Sequence, residues 1–585
     1  MPTRVLTAGT LAAGVATLIM SSLLAQPQLA TVPQFQDVTA ASGLAAFTLT
    51  TGSLDKRYIL ETTAGGVAFL DYDNDGWLDV FLVNGSTIDG ELKHTNAVSD
   101  RLYRNNHNLT FTDVTQAAGL LENRWGQGVA VADVNNDGFD DLFVTNFGQN
   151  ALYLNTGKGT FRDATAQSGL GKEQMWSAGA AFGDYDGDGD VDLYVSTYID
   201  FDLAHPPDFD SMPGTAKQNC LFRSLRVFCG PLGLRPSTDR FYENLGSGRF
   251  ADLSQASGIA SVPPAYGMGV VWLDANEDGK PDLYVANDRN PNYLFLNNGD
   301  KTFTETGMLS GAAVSAAARA QAGMGIDVGD YDNDGRLDLA VTNFADDYNT
   351  IYHAEGSGHF ADATLRTGTV SASYPFVGWG TKFFDADNDG WLDWIVANGH
   401  VFPQIDGQQT IYGNYAYKQP ALLFRNAGNG SFQDVSASSR VAAAPRRSNR
   451  GLAVGDVDND GRVDVMLSAL DEGPTLLRNL GPAGNWLTLS LKGTASNRSA
   501  IGARLTIRTG TRTQTRQIMS GDSYLSQSDR RVHVGLGSAA AADQITITWP
   551  SGQRQTLTNL AANRIVQVTE PPASSGSPRS PPGRP

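Results

Sequence analysis

The 585-residue chain has only two cysteines and no C-x-x-C, G-x-S-x-G or H-E-x-x-H motif, and it carries neither a phosphate-binding loop nor a dinucleotide fingerprint. The usual signatures of thiol redox, serine-nucleophile, zinc-protease and nucleotide chemistry are therefore missing. There is no basic stripe outside the C-terminal end, and the formal charge is -19, which argues against nucleic acid as a partner. No segment after the N-terminal thirty or so residues is apolar enough to span a bilayer. Helical periodicity is scarce, and 64 glycines point to many short strands and turns.

What the chain does have is one acidic nonapeptide repeated seven times, beginning at Asp71, Asp133, Asp184, Asp274, Asp330, Asp385 and Asp456. The copies read DYDNDGWLD, DVNNDGFDD, DYDGDGDVD, DANEDGKPD, DYDNDGRLD, DADNDGWLD and DVDNDGRVD. Each places an oxygen side chain at positions 1, 3, 5 and 9 and a glycine at position 6. Alternate oxygens around a tight turn are suited to a hard cation, calcium above all. An EF-hand opens in the same way but needs a bidentate glutamate at position 12 and flanking helices. Position 12 is aliphatic here in every copy (Leu82, Val144, Val195, Val285, Val341, Val396, Leu467), and the flanks are short and strand-like. Each loop is thus expected to join two strands of a hairpin.

Every unit continues with an L-Y-x-N-like strand (RLYRN, ALYLN, RFYEN, YLFLN, TIYHA, LLFRN, TLLRN), a Gly/Asn turn and an F-x-D-x-T segment. The seventh unit ends at Leu480 without that last element, while an unpaired copy, Phe35 to Thr39, lies near the N-terminus. Four strands per unit and seven units predict an all-β, seven-bladed β-propeller in which the displaced strand closes the last blade and removes a free edge. An open solenoid would have no use for the displaced strand.

Residues 35 to 480 resemble the FG-GAP/VCBS repeats, the calcium-loop propellers related to integrin α-subunit heads. The resemblance implies up to seven Ca2+, held by the side chains at positions 1, 3, 5 and 9 and the carbonyl at position 7. In the first three loops these side chains are Asp71, Asp73, Asp75, Asp79; Asp133, Asn135, Asp137, Asp141; and Asp184, Asp186, Asp188, Asp192. In the next two they are Asp274, Asn276, Asp278, Asp282 and Asp330, Asp332, Asp334, Asp338, and in the last two Asp385, Asp387, Asp389, Asp393 and Asp456, Asp458, Asp460, Asp464. Asn135 and Asn276 each cost a charge, so the second and fourth sites are expected to bind more weakly.

After Pro482 the segments NRSAIGAR, SGDSYLSQ and ITWPSG resemble the ASPIC/UnbV domain, and a propeller followed by that domain is similar to the cartilage acidic protein family. The expected organisation is an export signal over 1–30, the propeller over 31–481, a small β-sandwich-like domain over 482–570 and a disordered Pro/Ser-rich tail over 571–585. The signal has a basic start, an apolar stretch and small residues near Ala25 and Ala30, the alternative being a retained anchor. Export predicts a disulfide between Cys220 and Cys229, with free thiols as the alternative.

In a four-stranded meander the loops joining strands 1–2 and 3–4 share one face, the cation face. The long connections, including Asn84 to Asp100, Thr197 to Asp239 and Asn398 to Pro420, fall on the other. Loops elaborated on a rigid scaffold are where binding usually resides. Asn84, Asn146, Tyr198, Asp288, Asn343, His400 and Tyr412 are therefore candidate ligand contacts around a channel mouth, with strand-end capping the competing role for the asparagines. The expected function is a secreted or periplasmic calcium-stabilised protein that binds an extracellular protein or glycan. The alternatives are a carbohydrate lyase or hydrolase with its site on that face, and a metal or redox enzyme using His400.

Overall fold

The computed structural model describes residues 32–121, 123–172, 174–206, 220–406 and 415–572. The expected export signal and all but two residues of the expected tail lie outside them. The described chain is all-β and propeller-like. Seven successive antiparallel meanders run through it, from Val67–Leu70, Asp79–Leu82, Arg101–Asn105 and Phe111–Asp113 in the first unit to Asn449–Gly455, Asp464–Ala469 and Thr475–Gly481 in the seventh. The first strand of each unit packs beside that of the next, and the seventh packs beside the first. The second and third units are further joined by pairing of Met175 and Trp176 with Gly148 and Phe147.

The seventh unit takes its fourth strand from the other end of the chain. Gln34–Asp37 pairs antiparallel with Thr475–Gly481, setting Phe35 opposite Asn479 and Asp37 opposite Leu477. Phe35 is buried among Ile395, Val465 and Leu477, so apolar packing reinforces the ladder. The F-x-D-x-T segments are strands only over their first three residues. In the first unit Asp113 Oδ1 accepts from both the amide and the hydroxyl of Thr115, turning the chain into the short helix Thr115–Ala118.

The C-terminal residues form a three-stranded sheet (Val532–Gly537, Asn485–Lys492, Arg564–Thr569) against a four-stranded one (Arg512–Gln517, Arg504–Thr509, Ala541–Thr548, Arg554–Ala561). Sequence suggests a separate module. Instead its core is continuous with that of the second and third units, and the segment after Gln517 runs into the centre of the ring. There Ser520 Oγ donates to Val131 O, Ile326 N to Ser523 O, Val129 N to Leu525 O, Gln527 N to Val67 O and Val454 N to Ser528 Oγ. Gln517 Nε2 donates to Trp272 O. The inner strands would otherwise present unpaired backbone along the axis, and this plug satisfies it.

Candidate functional site

All seven acidic loops adopt one backbone form. Glycine at position 6 has φ between 83° and 98° in every copy, and position 4 is also left-handed, for instance Asn74 at 57°, a conformation asparagine tolerates and glycine adopts without strain. The position-1 carboxylate turns back on the loop: Asp71 Oδ1 accepts from Asp75 N and Oδ2 from Gly76 N, both at 2.9 Å. Position 9 opens the second strand and is locked from two sides, Asp79 accepting from Tyr72 N and from Asn105 N. That asparagine ends the third strand, and its Nδ2 ties Leu78 O of its own loop to Val457 O of the preceding unit. Asn155, Asn244, Asn297, Asn426 and Asn479 make the same pair of ties.

This scaffold crowds carboxylates together. One oxygen from each of Asp71, Asp73 and Asp79 lies within 4.8 Å of the others, as do those of Asp184, Asp186 and Asp192 and of Asp385, Asp387 and Asp393. Asp73 Oδ1, Asp387 Oδ1 and Asp458 Oδ1 at position 3, and Asp184 Oδ1 and Asp330 Oδ1 at position 1, are buried without any hydrogen-bond partner. Burial first, and carboxylate neighbours second to the hydrogen bonds that oppose it, raise Asp79 to about 8. Burial likewise lifts Asp184, Asp282, Asp330 and Asp456 to about 7. Stranded, mutually repelling oxygens in an all-oxygen set fit a hard divalent cation, whose charge offsets both the desolvation and the repulsion.

Two supporting layers have sequence signals that composition alone does not flag. At position 4, Asn74, Asn136, Asn333, Asn388 and Asn459 each donate to the position-6 carbonyl of the following loop (Gly138, Gly189, Gly390, Gly461 and Gly76), linking loops edge to edge. The chain of links is missing where position 4 is Gly187 or Glu277. One residue before the third-strand asparagine, Arg104, Arg425 and Arg478 pair with the position-3 carboxylates Asp73, Asp387 and Asp458 at 3.0, 2.7 and 2.6 Å. Where position 3 is asparagine, the same place holds Leu154 or Leu296. The first, sixth and seventh loops thus match their position-3 aspartate with an arginine, whereas the third holds Glu243 at that place and pairs both Asp186 and Glu243 with Lys301.

The C-terminal domain covers much of this cation face. Arg498 N donates to Asn136 Oδ1, Arg531 Nη2 to Asp456 O and Gly484 N to Asp387 O, while Arg512 reaches Asp389 O and Arg530 pairs with Asp140. A cavity of about 120 Å³ remains between domain and ring, edged by Lys382, Arg516 and His533. The Lys382 ammonium there bridges Asp327 and Asp522 at 2.7 and 2.6 Å.

The opposite face differs from expectation. Asn84, Asn146, Asn343 and His400 are buried, as are Tyr198 and Asp288, so they do not ring an open mouth; Tyr412 lies outside the described residues. The asparagines cap strand ends: Asn84 Oδ1 accepts from Thr50 N, and Asn343 Nδ2 donates to Tyr348 O. Tyr198 donates to Asp288 at 2.6 Å inside the core. His400 is fully buried against Phe222, Phe344 and Phe402, and its Nδ1 accepts from Phe402 N. Burial, then Arg450, drives its pKa down to about 3. Among the described residues its Nε2 has no hydrogen-bond partner, and its surroundings are aromatic rings and Arg450 rather than a carboxylate that would orient a catalytic base.

What buries it is the hairpin Leu221–Phe222 and Leu225–Arg226, closed by the Cys220–Cys229 disulfide. Beneath lies Arg450, which sequence does not distinguish from any other arginine; its guanidinium stacks 4.0 Å over Trp379 and donates to Thr62 O and Asn449 O. Tyr524 from the plug meets the same tryptophan and donates to Thr63 O. The channel is filled from both ends.

A ring of antiparallel meanders with repeated acidic hairpin loops, docked against a C-terminal β domain, defines a class of propeller-like repeat scaffold. FG-GAP-like repeats match residues 71–144, 133–195, 274–341, 330–396 and 406–467, and an ASPIC and UnbV domain matches 493–575. The chain belongs to the FG-GAP-like repeat family, with a C-terminal ASPIC and UnbV domain. Cartilage acidic protein 1 of Mus musculus is 24% identical over 537 residues, covering 86% of this chain and 74% of the relative. The Homo sapiens protein of that name is 23% identical over 533 residues, covering 86% and 71%. Among solved structures, YCF48 bound to D1 peptide aligns over 78% of this chain and 99% of that one, at 11% identity and a TM-score of 0.39. An Agrocybe aegerita lectin described as recognising non-reducing terminal N-acetylglucosamine aligns over 71% and 94%, at 14% identity and a TM-score of 0.36. Scores of that size carry no functional weight. Among the described residues no helix is long and apolar enough to cross a membrane.

Proposed function

We propose that this is an exported, seven-bladed calcium propeller whose loops hold structural Ca2+, and that it engages a protein or glycan partner through the face opposite the loops. The observation that carries it is the recurrence of buried, unpartnered carboxylate oxygens in one repeated loop geometry. The cation face is largely taken up by the C-terminal domain, which leaves the other face for a partner. That face exposes apolar groups on its insertions: Leu54 is 75% exposed, Leu221 59% and Leu232 53%. Beside them Arg223 stacks 4.2 Å from the Tyr415 ring, and both contact Asp346. An amphipathic aromatic and arginine cluster beside exposed leucines suits a protein interface or a sugar ring. The disulfide and the relatives named for cartilage support an extracellular setting.

A binding screen of calcium-loaded protein against glycans and extracellular proteins tests this reading. The expected hit loses at least about tenfold in affinity on Leu232→Ser or Tyr415→Ala, with the melting temperature unchanged. A partner whose footprint falls on the C-terminal domain, or protein that carries no calcium after purification, defeats it.

A further inference from the structure

The fifth loop differs in its third strand. At the position occupied there by Arg104, Arg425 and Arg478 in three other fully acidic loops, and by Glu243 in the third, stands His353, followed by Ala354 in place of the asparagine. The strand runs on to Gly356 through a register shift between Ala354 and Gly356, the kind of irregularity that re-aims a side chain. The three arginines lie outside their loops: they pair with the outer Oδ2 atoms of Asp73, Asp387 and Asp458 and leave each Oδ1 inward and unpartnered. The imidazole lies within its loop, Nδ1 being 3.1 Å from Asp338 Oδ1 at position 9 and 3.4 Å from Asp332 Oδ2 at position 3. Donor atoms of these three residues all fall within 4.8 Å of one another, as do those of Asp330, Asp332 and Asp334. Asp330 is fully buried, and its Oδ1 has no partner.

We propose that the fifth loop is a mixed nitrogen and oxygen site that takes a first-row divalent metal of the zinc and cobalt type in preference to calcium, with His353 Nδ1 as a direct ligand. This rests on the cation reading of the loops. Donor separations of 3.1 and 3.4 Å match the edges of octahedral and tetrahedral shells, about 3.0 and 3.4 Å for metal–ligand bonds of about 2.1 Å. Calcium seeks longer contacts to oxygen alone, whereas imidazole favours the later transition metals. Arginine and leucine cannot ligate and Glu243 offers only oxygen, so at this position no other loop supplies a nitrogen ligand.

The test uses the full chain, stripped with chelator, reloaded with excess Ca2+ and titrated with Co2+. One equivalent of cobalt is expected to be retained against calcium with visible d–d absorption. His353→Gln and His353→Arg are expected to weaken it at least about tenfold without altering the remaining calcium count. Arginine is the decisive variant: it restores the pattern of the first, sixth and seventh loops, so cobalt retention unchanged by His353→Arg shows that the histidine is only a counter-charge and overturns the proposal. Pulsed EPR on the unmutated, calcium-loaded protein with one equivalent of Cu2+, an imidazole-seeking ion of the same series, reads the imidazole nitrogen whether or not the variants fold, and absence of nitrogen coupling also overturns it. Six or seven calcium per chain with no selective cobalt defeats the fifth-site assignment alone. No calcium at any loop defeats the wider cation reading as well.

Discussion

The two faces of the ring solve the same problem, closing a central channel, by opposite means. On the cation face one short turn is repeated seven times, its carboxylates crowded together, and the closing element is a domain whose arginines and backbone amides dock on the loops. On the other face the connections vary in length, from 148–150 between strands of the second unit to 398–420 in the sixth. Closure there is apolar, with Phe222 of a disulfide-closed hairpin packed edge-on and tilted against His400 and Phe402. The first arrangement depends on counter-charge and the second on excluded water, so pH, salt and chelators should separate them.

The largest expected effect is from chelation. The crowded carboxylates of the acidic loops repel one another without a cation, so excess chelator is expected to lower the melting temperature substantially, with metal analysis confirming removal. The pH dependence should then change sign. For the cation-free protein, aspartates such as Asp79 near 8 and Asp184 near 7 have folded pKa values above those of the unfolded chain. Their stabilising contribution is complete below about pH 4 and is lost progressively as pH rises from there through the folded values near 7 and 8. Calcium binds the ionised form, so the loaded protein should instead gain stability over that range. Parallel pH profiles with and without chelator would remove the structural role assigned to the cation.

Next in size is the plug, the element joining the two ends. Tyr524 is fully buried between Trp379 and Thr63 O. Tyr524→Ala should cost about 3–5 kcal/mol through the cavity it opens, and Tyr524→Phe about 1 kcal/mol for the lost hydrogen bond. Denaturant unfolding of calcium-loaded protein measures both. If the C-terminal domain were a tethered module, Tyr524→Ala would leave the main transition where it was.

How much was legible in the sequence follows the same division. The loops, the strand order and the closing strand Gln34–Asp37 could be read because repetition lets each copy check the others. The burial of His400, Asn343 and Tyr198 could not, since it depends on the cap around Phe222 and on Arg450, which have no counterpart elsewhere in the chain. Nor could the plug: SGDSYLSQ alternates like an exposed hairpin, and its partners are backbone groups of inner strands hundreds of residues away. The expectation of weaker second and fourth sites rested on loop charge alone. Arg104, Arg425 and Arg478 offset the extra aspartate in three of the other loops, so charge counts must include the third strand.

The smallest effect tests whether the loops act as a ring or as seven independent turns. Asn74 occupies a left-handed position at φ 57° and donates to Gly138 O of the next loop at 2.9 Å. Substitution by alanine would mix lost hydrogen bonding with backbone strain. Glycine keeps the conformation and removes only the link, as the third loop does naturally with Gly187 at φ 71°. Asn74→Gly should therefore cost about 0.5–1.5 kcal/mol, since the carbonyl it leaves is exposed and water can replace the donor. If the loops are coupled, calcium affinity at the second loop should fall along with that at the first, a shift visible as a broadened isothermal titration. A change confined to the first loop would mean that the links order the face without connecting its sites, and the cation face would then be seven turns held in place by the domain above them.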